Sequence, residues 1–208
     1  MKKFLLSILF ACVIFVANGQ SSIGLRGGVN LGKMRIFGEP ASFKPLLSIS
    51  VPVRFDLSEK WTFQPELAYI QKGGYNTHFS AVLNQEVRTG RTANTLNIPM
   101  LFMYNIYQNQ KIGIDVFIGP SIGYTYDAII KDNTSRTYSN FINSSYDYED
   151  AVDYEGIIGA DVRFKIADHD FVLDIRYSYE WTEHVYQTLE SFQHEGISFS
   201  LGYIYPLN

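Results

Sequence analysis

The sequence predicts an all-β fold, an eight-stranded antiparallel up-and-down barrel that crosses a membrane. Past residue 20, eight stretches alternate apolar and polar side chains one by one, the period of a strand with one dry face. The apolar register of these stretches carries no charge, whereas the opposite register mixes acids, bases and glycines. The connections between stretches alternate short and long, as in a barrel with tight turns at one rim and loops at the other.

Ahead of the first stretch, Lys2 and Lys3 precede an apolar run from Phe4 to Val16 and then Ala17-Asn18-Gly19 before Gln20. This is the pattern of a secretory signal peptide removed after residue 19, since the run is shorter than the roughly 20 residues of a membrane helix. Leu9-Phe10-Ala11-Cys12 is similar to a lipoprotein cleavage box, but the chain stays apolar through Val16. Removal of residues 1–19 takes away Cys12, the single cysteine, and with it disulfide and thiolate chemistry. Residues 20–208 are then one barrel domain.

The first strand, 22–33, sets Ile23, Leu25, Val29 and Leu31 against Gly24, Arg26, Gly28 and Gly32. The second, 46–56, places Leu47, Ile49, Val51, Val53 and Phe55 on one side and Arg54 on the other. The third, 60–72, alternates Trp61, Phe63, Leu67 and Tyr69 with Glu66 opposite, and the fourth, 94–105, carries Leu96, Ile98, Met100, Phe102 and Tyr104. In the fifth, 111–125, Ile112, Ile114, Val116, Ile118, Ile122 and Tyr124 oppose Gly113, Asp115, Gly119, Ser121 and Gly123. The sixth, 155–166, has Ile158, Val162 and Phe164 against Asp161 and Arg163. The seventh, 170–181, has Phe171, Leu173, Ile175, Tyr177, Tyr179 and Trp181 against Asp174, Arg176 and Glu180. The eighth, 196–207, has Ile197, Phe199, Leu201, Tyr203, Tyr205 and Leu207 against Ser198, Ser200 and Gly202. Long loops are expected over 73–93, 126–154 and 182–195, outside the cell if both termini are periplasmic.

Alternation alone does not say which face is inside, and a soluble lipocalin-like barrel would reverse the registers. Side-chain volume favours apolar residues outward, because an eight-stranded barrel encloses only enough space to be filled by side chains. Aromatic residues divide into two rims, Trp61, Phe63, Phe164, Phe171, Tyr203 and Tyr205 at one and Tyr69, Tyr124, Tyr177, Tyr179 and Trp181 at the other, the positions of interfacial girdles. The inward charges Arg26, Arg54, Glu66, Asp115, Asp161, Arg163, Asp174, Arg176 and Glu180 are expected to form an ion-pair network across the lumen. Pro52, Pro65, Pro99, Pro120 and Pro206 fall inside the strands, and local bulges are the expected accommodation.

Without Lys2 and Lys3, 15 basic residues face 21 acidic ones, a formal charge of −6, and no basic cluster points to nucleic acid.

Several motifs carry a family resemblance: Gly27-Gly28-Val29-Asn30, Pro65-Glu66-Leu67-Ala68-Tyr69 with Lys72-Gly73, Leu96-Asn97-Ile98-Pro99-Met100-Leu101, Gly119-Pro120-Ser121-Ile122-Gly123-Tyr124 and Asp174-Ile175-Arg176-Tyr177. As a set, in this order, they resemble the PorT-like, porin-family outer-membrane β-barrels of the Bacteroidetes, over essentially the whole mature chain. The resemblance implies a Gram-negative outer-membrane location and insertion by the barrel-assembly machinery. It also implies an assembly signal in the last strand at Ser200, Gly202, Tyr205 and Leu207, although the chain ends in Asn208 rather than an aromatic residue. The founding member is associated with type IX secretion and gliding, and no feature of this chain singles out that role.

Candidate chemistry is sparse. His184 follows Glu183 and His194 precedes Glu195 in the last outer loop, where an enzyme acting on outer-membrane lipid could sit, but no triad signature accompanies them, and His78 and His169 lie in connecting segments. Asp147, Glu149, Asp150 and Asp153 among Tyr138, Phe141, Tyr146 and Tyr148 offer oxygen ligands for a divalent cation, without the glycine-containing order of a calcium loop. Sequons at Asn133 and Asn143 carry little meaning on a bacterial surface. The lumen arginines could line an anion path, but eight strands leave no aqueous channel. The expected function is therefore a non-enzymatic outer-membrane barrel, without cofactor or metal, surrounded by lipid and lipopolysaccharide. Its long loops would serve contact with a protein or surface polymer, or envelope integrity. The alternatives are a lipid-modifying enzyme, a type IX component and a narrow pore.

Overall fold

The computed structural model describes residues 21–36, 41–80, 84–132, 137–139, 152–166, 169–182, 184–185 and 191–207. Residues 1–20, with Cys12 and the expected signal peptide, and Asn133, Phe141, Asn143, Tyr146, Asp147, Tyr148, Glu149, Asp150 and Glu183 lie outside them. The strands are β1 (Ser21–Ile36), β2 (Ala41–Ser42), β3 (Lys44–Asp56), β4 (Trp61–Ser80), β5 (Gln85–Gln108), β6 (Ile112–Asp132), β7 (Thr137–Ser139), β8 (Val152–Ile166), β9 (His169–Glu180), β10 (His184–Val185) and β11 (Ser191–Pro206). Eight long strands follow one another antiparallel, and β1 pairs with both β3 and β11, so the sheet closes on itself with no free edge. Closure satisfies every ladder internally, which is the condition for strands to stand in lipid.

The registers are oriented as side-chain volume predicts. Leu25 (60% exposed), Ile118 (62%) and Leu201 (58%) face outward, whereas Arg26 (1%), Glu66 (3%) and Asp161 (0%) face in, so the reversed, lipocalin-like arrangement is ruled out. Between the girdles the described outward residues carry no charge; a basic side chain there would cost about 2–4 kcal/mol at the bilayer midplane.

Three expectations need correction. The stretches 73–93 and 126–154 are not simply loops: β4 runs on to Ser80 and pairs with β5 back to Gln85, and β6 runs to Asp132. Tyr75, Asn76, Thr89 and Gly90 lack the strong apolar alternation of the membrane band, because above the bilayer the outward face no longer meets acyl chains, while the inward face packs on β1, where Asn76 (0% exposed) donates to the Met34 carbonyl at 3.2 Å. At Gly73, φ is +144°, and a Cβ would stand 2.1 Å from the Arg91 carbonyl oxygen, so the strand accepts only glycine at this position.

The prolines are not bulged. The ladders around Pro52, Pro65 and Pro99 keep one register on both sides, although bridges adjacent to these residues are missing. A one-residue slip would turn the apolar wall inward, so losing a hydrogen bond is the smaller cost. The register shifts fall instead at Asn94/Thr95 and Asn105/Tyr107, which leave Tyr126 and Ile106 as the extra residues.

The inward register is also less polar than expected. Leu101, Met103, Phe117 and Ile157 form a buried apolar cluster inside the barrel.

Candidate functional site

The interior charges are arranged in layers, each built from residues that the barrel brings to one height from distant parts of the chain. Nearest the short turns, Arg54 reaches Asp161 at 2.5 Å and donates from Nε to Gln64 at 2.6 Å, while Arg163 Nε meets Asp115 at 2.9 Å. Asp115, Asp161 and Asp174 are consecutive cross-strand neighbours on β6, β8 and β9, so three carboxylates stand side by side and need the arginines beside them.

In the middle layer, Arg26 bridges Glu66 (2.5 Å) and Asp174 (2.7 Å), and Arg176 bridges the same two carboxylates at 3.2 and 2.7 Å. Two acids and two guanidinium groups close a ring, in which Arg176 also donates from Nε to Asp174 at 2.8 Å and Gln64 donates to Glu66 at 2.7 Å. The planar Arg176 guanidinium meets each carboxylate with two bonds, the fork geometry that offsets the desolvation of buried charge, while Arg26 gives one bond to each. Arg176 lies over the Phe117 ring, 5.4 Å from its centroid, joining the polar ring to the apolar cluster.

Toward the outer end, Lys72 binds Asp153 at 2.9 Å and also contacts Glu155. Thr125 donates to Asp153 (3.0 Å), Asn97 donates to Glu155 (3.2 Å), and Glu180, the cross-strand neighbour of Glu155, accepts from the His194 amide at 3.1 Å. Between this layer and the middle one is a cavity of about 20 Å³, bordered by Lys72, Glu155, Ile157, Arg176 and His194. That is room for about one water.

All nine charges assigned to the lumen from the sequence point inward, eight of them buried and Arg163 partly exposed at the turn end. Lys72, Asp153 and Glu155 were missed as members of the interior. Simple parity could have found them, because Lys72 shares the register of Glu66, and Asp153 and Glu155 share that of Asp161. Asp153 is therefore no loop ligand for a cation: it is 2% exposed, in β8, and salt-bridged. Among the described residues no group of three or more His, Cys, Asp or Glu side chains is arranged to hold a metal ion.

The last outer loop is also shorter than expected. His194 and Glu195 belong to β11, which continues upward because β1 continues beside it as far as Ile36. His194 is buried toward the lumen, whereas Glu195 on the other face is held by Arg35 (2.8 Å), Lys33 (3.4 Å) and the Tyr177 hydroxyl (3.2 Å). Neighbours in sequence, they point to opposite sides of the wall. His184 pairs with Phe192 through β10, His78 is exposed on β4, and His169 contacts the Tyr203 hydroxyl at 2.8 Å at the other end of the barrel.

The aromatic residues form rows around both rims. At the turn end Trp61 packs on Tyr104 (4.9 Å between centroids), Phe63 on Phe102 (5.1 Å) and Phe171 on Tyr203 (5.7 Å), with Phe164 opposite Phe171 and Tyr205 opposite Ile23. At the loop end Tyr69 and Tyr124 flank Leu96, Tyr177 lies between Ile158 and Ile197, Tyr179 donates to Gln193 at 3.2 Å, and Trp181 covers Gly156. In the closing strand Ser200 lies 3.4 Å from Asp174, Tyr205 and Leu207 face outward, and a Cβ on Gly202 would fall 2.2 Å from Cγ of Arg26.

Solved structures similar to this one include the outer membrane protein OprG of Pseudomonas aeruginosa, with a TM-score of 0.53 at 10% identity, covering 90% of this chain and 97% of that one. The attachment invasion locus protein Ail of Yersinia pestis is similar at a TM-score of 0.45 and 15% identity, covering 90% and 99%. The outer membrane enzyme PagL is similar at a TM-score of 0.44 and 13% identity, covering 89% and 99%. No curated protein matches the chain. The family model of the outer membrane protein beta-barrel domain matches residues 17–180. The closed ring with its apolar wall outward and its charges within is thus the structure of an outer-membrane protein, and the chain belongs to the outer membrane protein beta-barrel domain family.

Proposed function

We propose that this chain is a non-enzymatic, non-conducting outer-membrane barrel whose work is done by contacts at its outer end, with partners on the cell surface or in support of the envelope. The observation that carries this reading is the filled interior. Among the described residues, successive ion-pair layers and the Leu101, Met103, Phe117 and Ile157 cluster occupy the lumen, and the cavity between the middle and outer layers has room for about one water, which supports a closed lumen. The dispersal of the four histidines argues for contact rather than catalysis, since nucleophile, base and orienting group must converge. Insertion would follow the assembly route read through the closing strand β11.

The experiment has two arms. Purified protein in planar bilayers is expected to give no stepwise conductance, and lipid A from a deletion strain is expected to match the parent by mass spectrometry, as is lipid A from a His184→Ala/His194→Ala strain. Steps, or an altered lipid A profile, would overturn the reading. Crosslinking on intact cells followed by outer-membrane purification then identifies the contacts.

A further inference from the structure

We infer that the outward face of the β2–β4–β5 extension binds the phosphorylated saccharide headgroup of a glycolipid in the outer leaflet. The inference rests on the outer-end contact function proposed above and names one of its partners.

Position comes first. The β4–β5 pairing keeps a single register from Trp61↔Tyr104 to Ser80↔Gln85, so the residues in line with the lipid-facing wall below the girdle still look sideways above it. A face turned sideways meets the neighbours within the membrane plane, which are lipids. Tyr75 stands six residues beyond the girdle residue Tyr69, about 20 Å along the strand at ~3.3 Å per residue, or about 15 Å of height at a tilt of ~40°. The headgroup layer of an ordinary bilayer extends only about 5–8 Å beyond the hydrocarbon. A lipid reaching Tyr75 therefore carries sugars.

The surface matches that chemistry. Tyr75 lies with the Arg88 guanidinium 4.0 Å and Lys44 Nζ 5.4 Å from its ring centroid, and Lys33 lies 5.6 Å from the Phe43 ring. Lys44 is held beside Tyr75 by Thr92 Oγ1 at 2.5 Å. Opposite Tyr75 is Gly90, where a Cβ would come within 3.0 Å of the ring, so the tyrosine lies flat against the strand. Phe43 and Phe79 are 47% and 63% exposed, well above the apolar band. Two exposed rings, Phe43 and Phe79, and the half-buried Tyr75, interleaved with cations, suit a ligand that offers sugar faces and phosphate oxygens together. Below them, where acyl chains end, the lipid-facing register turns polar: the Tyr69 hydroxyl donates to Asn94 at 2.8 Å and Asn94 donates to Asp127 at 2.7 Å.

The test uses the full mature chain refolded in phosphatidylcholine vesicles with or without a rough lipopolysaccharide bearing phosphorylated core sugars. Thermal unfolding of the wild type is expected to shift upward with the phosphorylated glycolipid, less with its dephosphorylated form, and less again in high salt. Lys44→Gln/Arg88→Gln is expected to lose the shift while unfolding like the wild type in plain vesicles. Arg88→Gln alone, at an exposed site, serves if the pair refolds poorly. Lys60→Gln/Lys111→Gln, at the opposite rim, is expected to keep the shift. An equal shift in the Lys44/Arg88 variant, or with the dephosphorylated lipid, would overturn the inference. So would equal stabilisation by inorganic phosphate, or by soluble core oligosaccharide added to plain vesicles, since the ligand would then be a free anion or a soluble glycan. Conductance and lipid A profile do not enter this readout, so its failure is separable from failure of the proposed function.

Discussion

Glu66 shows at the scale of one residue why the interior is a network. Its carboxylate contacts both Arg26 and Arg176 and is shielded from bulk solvent, with its side chain 0% exposed. Glu66→Ala leaves two buried guanidinium groups sharing Asp174, and the expected loss is about 3–5 kcal/mol, read from urea unfolding in vesicles. Replacing Glu66, Arg26, Arg176 and Asp174 together by apolar residues of similar volume is expected to cost less than the sum of the single changes, because the pairing and the desolvation of the ring vanish together. Gly202, directly opposite Arg26 on the neighbouring strand, serves the same network: a methyl group there meets the side chain of Arg26. Gly202→Ala is expected to slow or prevent unassisted refolding into detergent. A defect seen only in cells, with normal refolding in vitro, would assign Gly202 to recognition by the assembly machinery instead.

At the scale of the strand, β6 separates the lipid wall from the outer extension. Ile118 is 62% exposed midway between Ile112 and Tyr124, and Ile118→Arg is expected to destabilise by about 2–4 kcal/mol in vesicles. Tyr126→Arg, at the bulge above the girdle, is expected to cost about 0–1 kcal/mol, since depth sets the penalty. The β4–β5 hairpin is expected to behave as a separate projection. A polar insertion after Asn84, an exposed residue whose φ of +50° marks the turn, should leave the unfolding midpoint unchanged while adding a protease site. A lowered midpoint would show that the projection helps hold the barrel together.

For the whole molecule, much was legible in the sequence because a closed barrel in lipid imposes period two on every strand. Ile23, Leu47, Ile98, Leu173 and Phe199 could each be turned toward lipid from their own neighbours alone. The reach of β4 to Ser80 was not legible, because the dry face that makes a strand conspicuous ends at the girdle. Nor did the sequence reveal that Leu101, Met103, Phe117 and Ile157 fill the interior, since a few inward apolar residues do not disturb the alternation around them; Lys72, by contrast, was legible from its shared register with Glu66.

Local order along the chain decides the strand period, the outward wall, the two aromatic rims and hence the outer membrane, because these depend on a residue and its neighbours two positions away. Which charges meet depends on the stagger of strands around the ring, a property of closure. Arg26 finds Asp174 across 148 positions only because β1 pairs with β11 and β11 with β9. Pairing of successive strands, rather than closure, sets Lys44 and Arg88 beside Tyr75 at the outer rim, where β2, β3, β4 and β5 come together. The alternation is written in each strand, and the pairing exists only once the last strand has met the first.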